Sequence, residues 1–318
     1  MVMHFLAALN ILALLFLARI DVHAQTPPVK QPKVESNALS HCGNDNSLAR
    51  VKSTVWGLSS KAYVRGLGPE SFLVTSDKQS YPLLCFSAAD RPLTVGFLVD
   101  FSSSVSKSVI AEAIGGITNF IDKSNPENIY FAVGFSSEPF LLMDRTKDRK
   151  EIDLSLTNAL TLKPEGRTSF NDAISLALDK MSGDDGNDKV LIVVSDAEDN
   201  HSAKGDLGSI RKRLRIDRIR TFIITNVDRR ESVSQYTTFL RIDLSNLVAE
   251  NGGGIVFPKE KKRMTTLFEG LAKRMRNEYT IGIGPPKAEK KWHPITLAVK
   301  LPKSFELVSI SGPKQFFY

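Results

Sequence analysis

The pattern of apolar and polar residues divides the chain into a central part and two flanks. In the central part, short apolar runs such as Leu93 to Val99 and Val190 to Val194 are typical of strands buried on both faces. Each run precedes a segment with helical spacing, such as Val105 to Ile121. Five such units in series predict an α/β fold, with a doubly wound, mostly parallel, Rossmann-like sheet.

The same periodicities predict the other elements of the central part, and Ser169 is a candidate N-cap for its helix. The further strands are Ile129 to Phe135, with Phe140 to Met143 as its hairpin partner, Thr221 to Thr225 and Ile255 to Phe257. The further helices are Glu151 to Leu160, Ser169 to Met181, Leu207 to Ile216, Tyr236 to Ala249 and Met264 to Met275.

Both flanks lack a helical period and carry strand and turn signals instead. The predicted strands are Ser71 to Val74 and Tyr81 to Phe86 before the central part, and Ile295 to Leu301 and Phe305 to Ile310 after an extended segment, Tyr279 to Gly284. We therefore expect the N- and C-terminal flanks to form one small β unit together. The expected order is signal peptide (1–24), linker (25–50), N-terminal β segment (51–90), α/β domain (91–278) and C-terminal β segment (279–318).

The N-terminus has the features of an export signal. Phe5 to Leu17 is an apolar stretch of 13 residues, whereas a helix needs about 20 to span a bilayer. Val22-His23-Ala24 then provides small residues for cleavage before Gln25. A cleaved signal peptide is the expectation, with an uncleaved membrane anchor as the alternative. Either way the protein would be exported, to the periplasm, the cell envelope or the medium.

Two cysteines, Cys42 and Cys85, are the only ones in the chain. In an oxidising compartment an even pair predicts one disulfide bond, and two unpaired thiols are the alternative. No Cys and His cluster has the spacing of a zinc site.

The net charge is +7, but the basic residues are spread along the chain without stacking aromatics between them. Nucleic-acid binding is therefore not expected. A solvated basic surface is the simpler interpretation, and an anionic partner such as a cell-envelope polymer is the alternative.

Three loops of the α/β part are rich in oxygen-bearing side chains. They are Asp100-x-Ser102-x-Ser104, Gly166-Arg167-Thr168-Ser169 and Ser195-Asp196-Ala197-Glu198-Asp199. Because parallel strands end on the same side of a sheet, the loops should meet at one edge. An all-oxygen set suits Mg²⁺, or Ca²⁺ or Mn²⁺, rather than zinc. A site with few charged ligands also leaves a coordination position that a partner's Asp or Glu could fill.

These residues resemble the metal-ion-dependent adhesion site (MIDAS) of von Willebrand factor type A (VWFA) domains. The family motif of Asp-x-Ser-x-Ser, a distant Thr and a later Asp is matched in order by Asp100, Ser102, Ser104, Thr168 and Asp196. The resemblance implies that all five bind the metal, directly or through water. Ser103 and Ala197 stand where the family usually has glycine, which puts the loop geometry rather than the ligand set in question.

The flanks extend the resemblance to exported bacterial VWFA-related proteins of the Acidobacteria type. The residues that carry it are Gly66-Leu67, Phe72-Leu73-Val74, Tyr279-x-Ile281-Gly282, Trp292 and Ile295. It implies an exported, metal-dependent protein-binding or adhesion module. A structural envelope protein, whose metal only stabilises the loops, is the alternative.

Other acidic and histidine residues near the loops receive simpler roles. Glu198 and Asp199 are expected as outer-shell groups of the metal site, Asp144 and Asp172 as loop and helix-start charges, and His201 as a surface residue. Catalysis is not expected, because the chain has no Gly-x-Ser-x-Gly elbow, no phosphate-binding glycine loop and no histidine placed as a base. A hydrolase is the less favoured reading.

Overall fold

The structure is a computed structural model that describes residues 39, 42, 48–76, 79–183, 186–195, 199–225, 245–256, 264–284, 292–301, 308–313 and 315–317. The predicted signal peptide lies outside these residues. Among the helices within them, none combines the length and apolar character needed to cross a membrane.

Sixteen strands and six helices occur in the described residues. The strands are β1 (Ala49–Gly57), β2 (Ala62–Tyr63), β3 (Phe72–Ser76), β4 (Gln79–Tyr81), β5 (Leu83–Ser87), β6 (Leu93–Asp100), β7 (Ile129–Phe135), β8 (Pro139–Thr146), β9 (Asp188–Val194), β10 (Arg220–Ile224), β11 (Gly254–Val256), β12 (Tyr279–Ile283), β13 (Trp292–Pro294), β14 (Thr296–Val299), β15 (Val308–Ser311) and β16 (Gln315–Phe317). The helices are α1 (Lys107–Lys123), α2 (Arg149–Ala159), α3 (Phe170–Lys180), α4 (Leu207–Ile216), α5 (residues 245–250) and α6 (Met264–Met275).

A six-stranded sheet forms the centre of the α/β part, in the order β11-β10-β9-β6-β7-β8. All its neighbouring strands are parallel except β8, which pairs antiparallel with β7 as the predicted hairpin. Every residue of β6 is buried, as expected for a strand covered on both faces. One apolar cluster packs α1, α2 and α6 on one face, and another packs α3, α4 and α5 on the other. The predicted doubly wound α/β fold is confirmed.

The two flanks form antiparallel sheets together, as predicted. β1 pairs with β12 through its first half and with β15 through its second half. β5 completes that sheet on the far side of β12, and a further sheet has the order β14-β3-β4. A third apolar cluster, with Val55, Val74 and Ile281 fully buried, fills this β unit. The predicted disulfide is present between Cys42 and Cys85, whose Cα atoms are 5.0 Å apart.

Several predicted elements differ from the structure or fall partly outside it, among them the strand Ile255 to Phe257, which is described only as far as residue 256. The strand Tyr81 to Phe86 is divided at Pro82, so that β4 and β5 belong to different sheets, because proline cannot donate to a strand ladder. The helix Tyr236 to Ala249 is described only from residue 245, where it is helical, and the strand Phe305 to Ile310 only from residue 308.

Ser169 is the residue before α3, as predicted, but its side chain does not cap that helix. Its hydroxyl donates instead to the carbonyl oxygen of Ser136, at 2.8 Å. The N-cap prediction was wrong about the hydrogen bond, because this acceptor comes from the neighbouring β7–β8 turn.

A cluster of charged side chains, the junction cluster, joins the α/β part to the β unit. It consists of Lys52 of β1, Asp188 at the start of β9, Arg220 at the start of β10, and Glu278 before β12. Lys52 Nζ donates to Asp188 Oδ2 at 2.5 Å, and Arg220 Nη1 donates to Glu278 Oε1 at 2.6 Å. The Arg220 and Glu278 side chains are only 7% and 6% exposed. These ion pairs lie at the amino ends of the parallel strands.

Candidate metal centre

The carboxyl ends of β6 and β9 bring the first and third loops side by side. The two strands pair in parallel with Val99 opposite Val194. The next residue of each strand path is therefore Asp100 on one side and Ser195 on the other. The Ser195 hydroxyl donates to Asp100 Oδ2 at 2.7 Å.

Asp100 is held in one orientation from two sides. It is 1% exposed, and its other oxygen, Oδ1, accepts the backbone N–H of Ser102 at 2.8 Å. A buried carboxylate must keep such partners, because losing them costs desolvation free energy. Each carboxylate oxygen accepts one described hydrogen bond and so retains a further acceptor direction.

The hydroxyl groups of Ser102 and Ser104 are hydrogen-bonded to each other, with their oxygens 3.0 Å apart. Ser102 is buried, whereas Ser104 is exposed at the mouth of the loop. Two neighbouring ligands of an octahedral Mg²⁺ ion, each about 2.1 Å from the metal, are themselves about 3 Å apart. The separation of the two hydroxyls therefore fits a pair of ligands of one such ion.

The second loop is fastened to the first by backbone hydrogen bonds. Ser103 N–H donates to Gly166 O at 3.1 Å, and Glu165 N–H donates to Phe101 O at 2.8 Å. Gly166 has φ +80°, and a Cβ atom there would lie 2.5 Å from Ser137 Oγ. Only glycine fits both the left-handed backbone and the close approach.

Thr168 links the second loop to the segment that follows the third. Its backbone N–H donates to Asn200 Oδ1 at 2.9 Å. Its carbonyl oxygen accepts the N–H groups of Asn200 and His201, at 3.1 and 3.0 Å. Thr168 itself is 4% exposed. The first two loops and the described residues on either side of 196–198 are thus held at one edge of the sheet.

Asp199 and Asp172 hold the segment after the third loop against the start of α3. Asp199 accepts the backbone N–H of Asn171 at 3.2 Å and that of Ser202 at 3.0 Å. Asp172 accepts the N–H groups of Ala203 and Lys204, both at 2.9 Å, and that of Gly205. Burial raises the pKa of Asp172, but these three backbone donors outweigh it, and the net pKa is lowered.

The structure places the predicted site residues as follows. Asp100, Ser102 and Ser104 lie in one loop, and Thr168 lies in the loop bonded to it. Asp196, Glu198 and Ala197 lie outside the described residues, which stop at Ser195 and resume at Asp199.

The remaining acidic and histidine residues are also located. Asp144 lies in β8 rather than in a loop, because the strand extends past the predicted Met143 to Thr146, and it forms an exposed ion pair with Lys180 at 2.9 Å. His201 is exposed, as expected. Among the described non-glycine residues, Lys61 and Arg218 have positive φ, and Ser103 does not. Its backbone therefore needs no glycine.

Sequence reasoning placed Ser195 in the third loop but assigned no role to it, and it assigned none to Asn200. Both lie in or beside the third loop, and the signal that could have found Ser195 is the parallel register of β6 and β9. That register sets the two residues that follow Val99 and Val194 next to each other. Asn200 carried no comparable signal, because its partner is a backbone group 32 residues away.

The donor set fits a hard divalent cation. Ser102 and Ser104 provide hydroxyl oxygens in the same loop as the Asp100 carboxylate, and Thr168 provides another hydroxyl in the loop bonded to it. Such ligands suit Mg²⁺, Ca²⁺ or Mn²⁺. Across the part of the chain that the structure describes, no group of three or more His, Cys, Asp or Glu side chains could hold a metal. A site there would accordingly depend on hydroxyl ligands.

The part of the chain that matches a known family model is also the part that contains the candidate metal site. Residues 95–198 match the family model described as von Willebrand factor type A domain. No curated protein matches the chain. The matched residues run from β6 to the third loop and include Asp100, Ser102, Ser104, Thr168 and Asp196.

Solved structures with similar folds include three bacterial proteins. An aerotolerance-related membrane protein from Bacteroides fragilis NCTC 9343 is 14% identical, with a TM-score of 0.44 over 57% of this chain and 98% of that one. A von Willebrand factor type A protein from Catenulispora acidiphila is 10% identical, with a TM-score of 0.49 over 86% and 75%. The pilus adhesin SpaC from Lactobacillus rhamnosus GG is 10% identical, with a TM-score of 0.46 over 80% and 49%.

Proposed function

We propose that this protein is an exported, metal-dependent protein-binding or adhesion module. A divalent cation, Mg²⁺ in the first instance, would be held by Asp100, Ser102, Ser104, Thr168 and Asp196. The observation that carries the proposal is the 3.0 Å separation of the Ser102 and Ser104 hydroxyl oxygens beside the buried Asp100. VWFA domains are often used in adhesion and protein binding, which supports the same conclusion.

The buried and the exposed residues of the site would have different roles. Asp100 would supply negative charge from the buried side of the site, where the Ser102 N–H and the Ser195 hydroxyl hold its carboxylate. Ser104 is exposed and lies on the side from which a partner would approach. The bound cation would supply a positive charge with a coordination position open to a carboxylate oxygen. A partner that offers an Asp or Glu therefore fits the site.

An extracytoplasmic location supports this role. The disulfide between Cys42 and Cys85 is the kind of bond that persists in oxidising compartments. The N-terminal apolar stretch followed by Ala24 fits an export signal. The flanking motifs support a place among the exported bacterial VWFA-related proteins of the Acidobacteria type. We propose a binding role without catalysis.

The test compares Ser104→Ala with Ser103→Ala. Both residues are exposed and adjacent, but only Ser104 is a proposed ligand. Each variant and the wild type are immobilised and incubated with envelope extract in Mg²⁺ or in EDTA. The proposal expects a partner that is retained by the wild type and Ser103→Ala in Mg²⁺ and released by EDTA. Ser104→Ala should retain much less of it.

The retained protein must also depend on its own carboxylates. Substituting its acidic residues at the contact, one at a time, should identify one whose loss abolishes retention. Retention that is insensitive to EDTA and equal in the two serine variants would instead favour the structural envelope protein, whose metal only stabilises the loops.

A further inference from the structure

One side chain outside the predicted ligand set is in direct contact with it. Ser195 follows β9, and its hydroxyl donates to Asp100 Oδ2 across the two central strands at 2.7 Å. Ser195 is 0% exposed and Asp100 is 1% exposed. A hydrogen bond between buried groups is not exchanged with water, so removing the donor leaves a carboxylate oxygen without that partner.

The direction of this hydrogen bond matters for the metal site. A serine hydroxyl has one proton to donate, and a carboxylate beside it is the acceptor. The bond fixes the rotation of the carboxylate about its terminal torsion, which is otherwise a soft angle. Ser102 N–H fixes the other oxygen, so the remaining acceptor directions of Asp100 are set by these two donors.

We propose that Ser195 is a positioning residue for the cation site, acting through Asp100 rather than on the metal. The inference rests on the metal site of the proposed function and adds the group that orients its buried carboxylate. Hydrogen-bond partners of metal ligands typically tune metal affinity about 10- to 100-fold. Ser195 also ties the first loop to the start of the third, so both loops would respond to its loss.

The chain offers a matched control at the neighbouring strand. Thr225 follows β10 as Ser195 follows β9, because Ile224 pairs with Val194. Thr225 is also buried, at 7% exposed, but its hydroxyl has no hydrogen-bond partner among the described residues. Losing a buried hydroxyl at this register should therefore leave Asp100 unaffected.

The experiment measures Mg²⁺ binding to the full exported chain by calorimetry, with no partner present. Ser195→Thr keeps a hydroxyl, and Ser195→Val has nearly the shape of the threonine variant but lacks the hydroxyl. The inference expects Ser195→Thr to bind Mg²⁺ within about threefold of wild type and Ser195→Val about 10- to 100-fold more weakly. Thr225→Val should match the wild type. Ser195→Ala, which adds no volume, repeats the test if the larger side chains prevent folding.

A purely structural role for Ser195 gives a different result. In that case Ser195→Val would be less stable, with a lower denaturation midpoint in EDTA. Its folded form would nevertheless bind Mg²⁺ as tightly as Ser195→Thr does. Equal affinities of the Thr and Val variants would overturn the inference and leave the proposed function standing. A wild type that binds no Mg²⁺ would overturn both. Mg²⁺ binding that depends on Ser195, with no acid-dependent partner found, would retain the inference and count against the proposed function.

Discussion

The two ends of the parallel strands treat buried charge in opposite ways. At the amino ends, the junction cluster pairs each carboxylate with a cation: Asp188 with Lys52, and Glu278 with Arg220. At the carboxyl ends, the described partners of the buried Asp100 are a backbone N–H and a serine hydroxyl. The two carboxylates at one end are thus paired with cations, whereas the carboxylate at the other end has described hydrogen-bond donors that are both neutral.

The difference indicates a division between structure and function. Ion pairs at the amino ends connect the α/β part to the β unit. At the carboxyl ends, two neutral donors orient the Asp100 carboxylate. Under the proposed function, a cation would be the partner of this carboxylate, and the hydroxyls of Ser102 and Ser104 would be among its other ligands.

The largest expected effect comes from breaking the junction cluster. Glu278→Ala leaves the Arg220 guanidinium buried without its carboxylate, and we expect a loss of about 3–5 kcal/mol in the free energy of unfolding. The control is Glu127→Ala, which breaks the Lys147–Glu127 pair, whose side chains are both 64% exposed. That loss should be below about 1 kcal/mol. Urea denaturation measures both, and equal losses would contradict the assigned role of the junction cluster.

A smaller effect should appear in the pH dependence of stability. Burial raises the pKa of Asp188, but Lys52 and then Arg220 and Arg50 outweigh it and lower that pKa to about 2. Because the folded-state pKa is depressed from 3.8, the stabilisation is complete above about pH 4. It is lost as the pH falls through about 2, and it amounts to about 2 kcal/mol.

Asp188→Asn tests this stabilisation directly. The difference in unfolding free energy between wild type and variant should be constant from pH 5 to 7 and shrink by about 2 kcal/mol towards pH 2. Burial, together with the nearby Arg220, lowers the pKa of Lys52 against the raising effect of Asp188 and Glu278. If the difference in unfolding free energy did not change with pH, the charge of Asp188 would not contribute to stability.

The smallest effect on stability is expected at the second loop. Gly166→Ala introduces a side chain at φ +80° and 2.5 Å from Ser137 Oγ. A left-handed residue that is not glycine costs about 1–2 kcal/mol. Gly66→Ala is the matched control, because Gly66 has φ +77° and open space around it. Both should lose similar stability from the backbone, but only Gly166→Ala should also weaken Mg²⁺ binding. Unchanged Mg²⁺ affinity in Gly166→Ala would separate this loop from the site.

Local patterns in the sequence were sufficient to predict the central sheet. The continuous run Val190 to Val194 predicted the core of β9, and the structure extends that strand back to Asp188. The extension is invisible locally, because Asp188 is charged and its partner Lys52 lies 136 residues earlier. The division at Pro82 likewise depended on which sheet each half joined.

The position of a candidate site residue could be predicted from the sequence where that residue lies directly at the end of a predicted strand. Asp100, the last residue of β6, and Ser195, the residue after β9, occupy equivalent positions beyond the Val99–Val194 pair, but only the ligand motif made Asp100 recognisable. The role of Ser195 depends on strand order, and that of Ser169 on the neighbouring turn that supplies its acceptor. Such contacts join residues far apart in sequence, and no local pattern records them.

The central claim is that the carboxyl ends of the strands hold a divalent cation between Ser102 and Ser104. Anomalous diffraction from crystals grown in Mn²⁺ tests it most directly. The account predicts one peak within about 2.3 Å of the hydroxyl oxygens of both serines, and its loss in Ser104→Ala but not in Ser103→Ala. No peak at this edge, or a peak that persists in Ser104→Ala, would contradict it.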